Sequence, residues 1–284
     1  MERNGKQIDL KSSANSTEVE AIGQKSTIFP PYIFGTCVIG PIHKQLDIPC
    51  QDACDSEFIS GWSIIAVADG LGSANKSEIG AKEAVDTAVQ TWRTIISEKN
   101  NEEINYEQVL REIVSSSRKA LETKAREEQC NLHDLACTII VVLAFEDYIF
   151  VAHIGDGAVV AKTDHELLIV SEPGETEYIN EVVPLTSKNW EINLRISKKI
   201  PNIECAAVFT DGCQRASLLN TQNGLQPYNL FFDPLFQYAQ ELDNLKQGEE
   251  QIRKFLSSQK MSDASEDDKT LLILVLKRRS IPND

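Results

Sequence analysis

Apolar runs that stop abruptly at an aspartate set the rhythm of this chain. Trp62 to Ala68 is the clearest: seven mostly apolar residues lead straight into Asp69-Gly70-Leu71-Gly72. A run of that length bounded by turn residues predicts a buried strand. Cys205-Ala206-Ala207-Val208-Phe209 leads in the same way into Thr210-Asp211-Gly212, and Tyr148 to Ile154 into Gly155-Asp156-Gly157. Near the C-terminus the order reverses, and Glu266-Asp267-Asp268-Lys269-Thr270 precedes Leu271 to Leu276. Pro49-Cys50-Gln51-Asp52-Ala53 adds an aspartate upstream. A lone Asp-Gly is an ordinary turn signal. Its repetition behind apolar runs puts five aspartate positions at strand ends or in the turns beside them.

The remaining pattern fills in the architecture. Tyr32 to Ile39 reads as a first strand, and Gly40 to Pro49 as a loop carrying His43 and Lys44. Ser77 is placed to cap a helix. From Ile79, Ala84, Val85, Ala88, Val89, Trp92, Ile95 and Ile96 recur at helical spacing over about 20 residues. A second amphipathic helix is predicted from Tyr106 to Glu128. The period then shortens. Ala136–Phe145, Tyr148–Ile154, Ala158–Lys162 and Glu166–Val170 are successive strands, and Glu146-Asp147, Gly155-Asp156-Gly157 and Thr163-Asp164-His165 read as hairpin connections. Residues 171–200 have no clear period and suit a flap over the site. Asp233–Leu242 and Gln247–Leu256 read as helices, and the continuously apolar Leu271–Lys277 as a central last strand. Helices before and between antiparallel strands predict an α+β fold rather than a doubly wound parallel sheet. Residues 1–27 are polar and aperiodic, as a disordered or loosely attached tail would be.

Charge narrows the chemistry. A net charge of −15 argues against nucleic acid or an anionic membrane as partner, and with the lack of a basic groove it disfavours a metal-dependent nuclease. The longest apolar run, Leu135 to Phe145, is too short to span a bilayer. Met1-Glu2-Arg3-Asn4-Gly5-Lys6 leads into no apolar signal segment, so a cytoplasmic location is expected. Seven cysteines without a CxxC read as free thiols in a reducing compartment. Cys213, beside Asp211-Gly212, and His153, inside a strand, read as packing residues. No histidine or cysteine cluster accompanies the aspartates. Hard carboxylate oxygens alone suit Mg²⁺ or Mn²⁺ rather than Zn²⁺.

In their order and spacing, Cys50-Gln51-Asp52-Ala53, Val67-Ala68-Asp69-Gly70-Leu71-Gly72, Gly155-Asp156-Gly157, Thr210-Asp211-Gly212 and Asp267-Asp268-Lys269-Thr270 resemble the metal-dependent protein serine/threonine phosphatases of the 2C type, in their bacterial branch. The resemblance spans about residues 33 to 277. It implies a single domain over residues 28–280, built as a four-layer αββα sandwich of two packed antiparallel sheets flanked by helices. It implies a binuclear Mn²⁺ or Mg²⁺ centre at one end: Asp69 bridging both cations, the carbonyl of Gly70 on the second, Asp211 and Asp267 completing the first, and Asp52 orienting water. Asp156 falls where bacterial members bind a third metal. Gln51 and Asp268 stand just behind the ligands. The implied activity is hydrolysis of phosphoserine and phosphothreonine in proteins, with phosphoprotein substrates and a cognate kinase as partners.

The sequence departs from the family at three places. Gln51 replaces a frequent glutamate, Leu71 stands where animal enzymes carry a histidine, and Asp47 stands where a family arginine grips the substrate phosphate. His43 or Lys44 is the expected replacement for that arginine. Lys188 and Arg195 in the flap are next in line. Gln51 and the missing arginine also leave room for a catalytically weak regulatory or phosphoprotein-binding module.

Overall fold

A strand that is apolar on both faces needs cover on both faces, and that requirement sets the layers here. The computed structural model describes residues 31–98, 104–174 and 182–277. The predicted tail (residues 1–27) and part of the predicted flap (residues 175–181) lie outside the described residues. The strands are β1 (Tyr32–Val38), β2 (Ala53–Ile59), β3 (Trp62–Ala68), β4 (Ile139–Phe145), β5 (Tyr148–Ile154), β6 (Ala158–Thr163), β7 (Leu167–Ser171), β8 (Arg195–Ile196), β9 (Ile203–Phe209), β10 (Leu218–Thr221), β11 (Gly224–Pro227) and β12 (Lys269–Val275). The helices are α1 (Pro41–Leu46), α2 (Ser77–Glu98), α3 (Tyr106–Glu127), α4 (Trp190–Asn193), α5 (Gln214–Ser217), α6 (Asn229–Gln240), α7 (Leu245–Leu256) and α8 (Gln259–Ala264). No helix among the described residues is long and apolar enough to cross a membrane.

Two antiparallel five-stranded sheets form the centre, in the orders β1-β12-β9-β6-β7 and β2-β3-β4-β5-β8. Ile65, Val67, Val142 and Val151 of the second sheet meet Val159, Ala206, Val208 and Leu274 of the first in one core between the sheets. Alternate residues of the same strands, Ile64, Ala66, Val141 and Leu143, face Val85, Trp92, Leu110 and Leu121 of α2 and α3. On the opposite outer face, Phe209, Leu271 and Ile273 pack against Phe232, Phe236, Ile252 and Leu256 of α6 and α7. The predicted α+β, four-layer αββα sandwich is the observed one.

Local differences from the sequence expectations have physical causes. The region predicted as a loop from Gly40 to Pro49 contains α1. Pro41 starts it with its fixed φ, and Asp47 ends it in the left-handed region at φ 56°. Ser77 is not a cap. It is the first residue of α2, and its buried hydroxyl has no partner among the described residues. The strand β2 was not expected, because an edge strand half open to solvent carries the polar sequence Ala-Cys-Asp-Ser-Glu-Phe-Ile. Glu146-Asp147 and Thr163-Asp164-His165 do close hairpins, β4 to β5 and β6 to β7. Gly155-Asp156-Gly157 does not. It carries the chain from the end of β5 in one sheet to the start of β6 in the other. β12 is interior, between β1 and β9, but β9 holds the middle position. The second half of the predicted flap is bound to the domain: β8 adds to the edge of β5, and the Leu185 N–H donates to the Cys137 carbonyl at 2.7 Å.

Candidate active site

Strand register gathers the aspartates. Ala53 pairs with Ala68, Val67 with Ile140 and Ile139 with Ile154, so β2 begins where β3 and β5 end. In the other sheet Val38 pairs with Lys269, and Phe209 with both Leu271 and Ala158. Asp52, Asp69 and Asp156 thus leave the second sheet, and Asp211 and Asp267-Asp268 adjoin the first, at one end of the sandwich. Asp69, Asp156, Asp211 and Asp267 line one cavity of about 440 Å³, together with Gly70, Thr138, His43, Val182 and Glu266. An apolar cavity of about 540 Å³ lies elsewhere, among Phe231, Leu235, Phe255 and Met261, and contains none of these carboxylates.

The backbone that carries the acids is fixed from several sides. The Asp69 N–H donates to Thr138 Oγ1 at 2.9 Å, and the Thr138 N–H returns a bond to the Asp69 carbonyl at 2.8 Å. The Gly70 N–H donates to the Gln51 carbonyl at 3.1 Å. A Cβ on Gly70 would stand 2.8 Å from that carbonyl oxygen and from Ser77 Cβ, so only glycine lets these segments approach. Gly155 takes φ +115° and carries the crossover that delivers Asp156.

Two predicted residues sit behind the cavity wall. Asp52 is buried, and its Oδ2 accepts the hydroxyls of Thr210 at 2.8 Å and Thr270 at 2.7 Å. It therefore ties the start of β2 to the end of β9 and the start of β12. Asp268 is also buried. Its Oδ1 accepts the Gly40 N–H at 2.7 Å and its Oδ2 the Gln51 N–H at 2.6 Å, while His43 Nδ1 lies 3.0 Å from Oδ2. His43, Asp267 and Asp268 place potential ligand atoms within 4.8 Å of one another. Because Asp268 already spends both oxygens on the N–H groups of Gly40 and Gln51, its role there is to brace the start of α1 and Gln51.

Of the two predicted phosphate contacts, only His43 faces the cavity; Lys44 is exposed and does not line it. In the flap, Lys188 is exposed, and Arg195 is engaged with His153 Nδ1 at 2.9 Å and the Gly155 carbonyl at 3.0 Å. Sequence reasoning gave no role to Thr138, Thr210 and Thr270. Thr210 directly precedes Asp211 and Thr270 follows Asp268 by two residues, but Thr138 lies 69 residues from the Asp69 it holds, and no local signal marks it.

Crowded, buried carboxylates resist ionisation together. Burial, and then the charges of Asp52, Asp211, Asp156 and Asp267, push Asp69 well above the usual carboxylate range. Asp52 is pushed up to about 7, chiefly by burial and against the pull of the Thr270 and Thr210 hydroxyls. Asp156 rises to about 6 through burial and the Asp211 charge, and Asp211 rises through burial and Asp267. Among the described residues no lysine or arginine lines the cavity. The buried Lys269 turns its Nζ to the Asp267 carbonyl at 2.7 Å. Asp156 Oδ1 and Asp211 Oδ1 are buried without a hydrogen-bond partner among the described residues. Unpartnered hard oxygens converging on one cavity, their acids still held above the usual carboxylate range, fit a divalent cation of the Mg²⁺ or Mn²⁺ class.

Comparisons with known proteins bear on the family and the fold. Residues 39–257 match the family described as Protein phosphatase 2C. The chain is 30% identical over 249 residues to "Serine/threonine-protein phosphatase 3" of Escherichia coli K12, covering 83% of this chain and 94% of that one. Its fold is similar to that of the phosphatase Stp1 from Staphylococcus aureus, with TM-score 0.55, 14% identity and coverage of 91% and 100%. It is also similar to the catalytic domain of the phosphatase PstP solved in complex with 2 manganese ions, with TM-score 0.57, 12% identity and coverage of 86% and 97%.

Proposed function

The chain belongs to the protein phosphatase 2C family and is a protein serine/threonine phosphatase, and from that footing we propose that it works through a Mn²⁺ or Mg²⁺ centre held by Asp69, Gly70, Asp211 and Asp267. Asp156 offers an oxygen for a further cation. The observation that carries this proposal is the set of four aspartates around one cavity, two of them with buried oxygens that have no hydrogen-bond partner among the described residues. The manganese ions of the PstP structure support the choice of cation. When bound, the cations supply positive charge against the phosphoryl oxygens and make water a better nucleophile at neutral pH.

The chain's own residues do the positioning. Thr138 clamps the Asp69 backbone from both its N–H and carbonyl sides. Asp52, with Oδ2 held by two threonine hydroxyls, orients solvent through Oδ1. His43 stands beside Asp268, its Nδ1 3.0 Å from Oδ2, and presents its imidazole to the substrate phosphate at the cavity wall. Gln51 joins the two halves of the support, donating its N–H to Asp268 and accepting the Gly70 N–H. The substrates are phosphoproteins made by a cognate serine/threonine kinase. The net charge of −15 supports a protein partner rather than nucleic acid or an anionic membrane.

The test is phosphate release from a phosphothreonine peptide. Release should rise with Mn²⁺ and stop in EDTA. Undiminished release in EDTA would overturn the proposal, and peptide binding with Mn²⁺ but no turnover would favour the regulatory module instead.

A further inference from the structure

All seven cysteines are free thiols, but two of them touch. Cys37 of β1 donates its S–H to Cys54 of β2, with the sulfurs 3.0 Å apart. That is within about 1 Å of a disulfide bond length. β1 is the edge strand of one sheet and β2 the edge strand of the other, so a bond here would join the two sheets covalently. Both cysteines are half-buried, open to a small oxidant, whereas Cys137, Cys205 and Cys213 are buried. The half-buried Cys50 points elsewhere, its sulfur 3.8 Å from the Asp52 carbonyl oxygen.

We propose that Cys37 and Cys54 are an oxidation site, a dithiol that hydrogen peroxide or an organic hydroperoxide closes to a reversible disulfide across the sheet edges. Cys54, the acceptor of the S–H···S bond, attacks the distal oxygen of the peroxide as thiolate. The O–O bond breaks, Cys54 becomes a sulfenic acid, and the departing hydroxide or alkoxide takes up the proton that the Cys54 thiol released, leaving as water or an alcohol. Cys37 then attacks the Cys54 sulfur. The S–S bond forms, the S–OH bond breaks, and the departing hydroxide takes the Cys37 proton to leave as water. Two thiols and one hydrogen peroxide thus give one disulfide and two waters, or with an organic hydroperoxide one water and one alcohol, and a dithiol reductant reverses the change by exchange.

The bond lies beside the site's support. Cys37 is the cross-strand partner of Thr270, whose hydroxyl holds Asp52, and Cys54 follows Asp52 by two residues on β2. Oxidation therefore pulls on the same β1–β12–β2 corner that fixes Asp52.

The experiment uses the reduced full-length chain, treated with equimolar hydrogen peroxide under native conditions and then unfolded in denaturant containing N-ethylmaleimide, so that the buried Cys137, Cys205 and Cys213 are labelled as well. Non-reducing peptide mapping should show a Cys37–Cys54 link with five of the seven thiols still labelled, and dithiothreitol should return all seven. Cys37→Ser should form no link and should accumulate a dimedone-reactive sulfenic acid on Cys54. Cys54→Ser should lose both products, and Cys50→Ser should keep the link. Seven labelled thiols after peroxide, or a link that pairs Cys54 with Cys50, would overturn the proposal. So would a link that survives in Cys37→Ser.

Discussion

Removing divalent cations should make this protein less stable as pH rises from about 5 to 8, and the slope should run through Asp52. Its carboxyl is raised from 3.8 to about 7 in the folded chain, mainly by burial. A carboxylate whose folded value lies above its unfolded one binds more protons when native. Its stabilising contribution is complete below the unfolded value and falls as pH climbs through the window between about 4 and 7. Each unit of that window is worth ~1.4 kcal/mol, so roughly two units lie between pH 5 and the folded value, for a loss of ~3 kcal/mol. For a domain of this size that lowers Tm by roughly 6–10 °C. Asp69, Asp156 and Asp211, also raised, act in the same direction. The assay is thermal unfolding followed by circular dichroism in EDTA at several pH values, repeated with excess Mn²⁺. The fall should shrink with Mn²⁺, which neutralises the cluster, and should shrink in Asp52→Asn even in EDTA. A chelated Tm that is flat or rises over this range, or an Asp52→Asn slope equal to wild type, would refute the reasoning.

Other perturbations separate the supporting roles. Asp268→Ala strands the N–H groups of Gly40 and Gln51, and should cost roughly 2–4 kcal/mol in urea unfolding. His43→Ala should raise KM for a phosphopeptide severalfold, while Lys44→Ala should leave it within about twofold, because uniform binding acts on KM alone; equal effects from the two would remove His43 from the phosphate site. Gly70→Ala places a methyl 2.8 Å from backbone and should lower kcat at least tenfold with the far-ultraviolet dichroism unchanged.

The cluster was legible because each acid flanks an apolar run, at its end for Asp69, Asp156 and Asp211 and at its start for Asp267, and antiparallel register brings such ends together. Asp69, Asp156, Asp211 and Asp267 all reach one cavity for that reason. What escaped the sequence depends on long-range pairing. Gly155-Asp156-Gly157 carries the local signal of a hairpin, and only the pairing of β6 with β9 and β7 shows that the chain changes sheets there. β2 escaped because its solvent-facing side removes the apolar continuity that marked β3. Lys44 and His43 were indistinguishable in a stretch read as loop. The turn of α1 puts one at the cavity and the other in solvent. The threonines that hold Asp69 and Asp52 look in the sequence like ordinary strand residues, since Thr favours strands without any partner.

Asp69 stands at the centre of the account, the acid nearest in effect to all the others. The most direct measurement is phosphate release by Asp69→Asn beside wild type, in saturating Mn²⁺, with circular dichroism and Mn²⁺ binding recorded on the same samples. Asp69→Asn should fold, bind Mn²⁺ more weakly and lose turnover by at least a hundredfold. A folded variant that still turns over phosphothreonine peptide at the wild-type rate would contradict it.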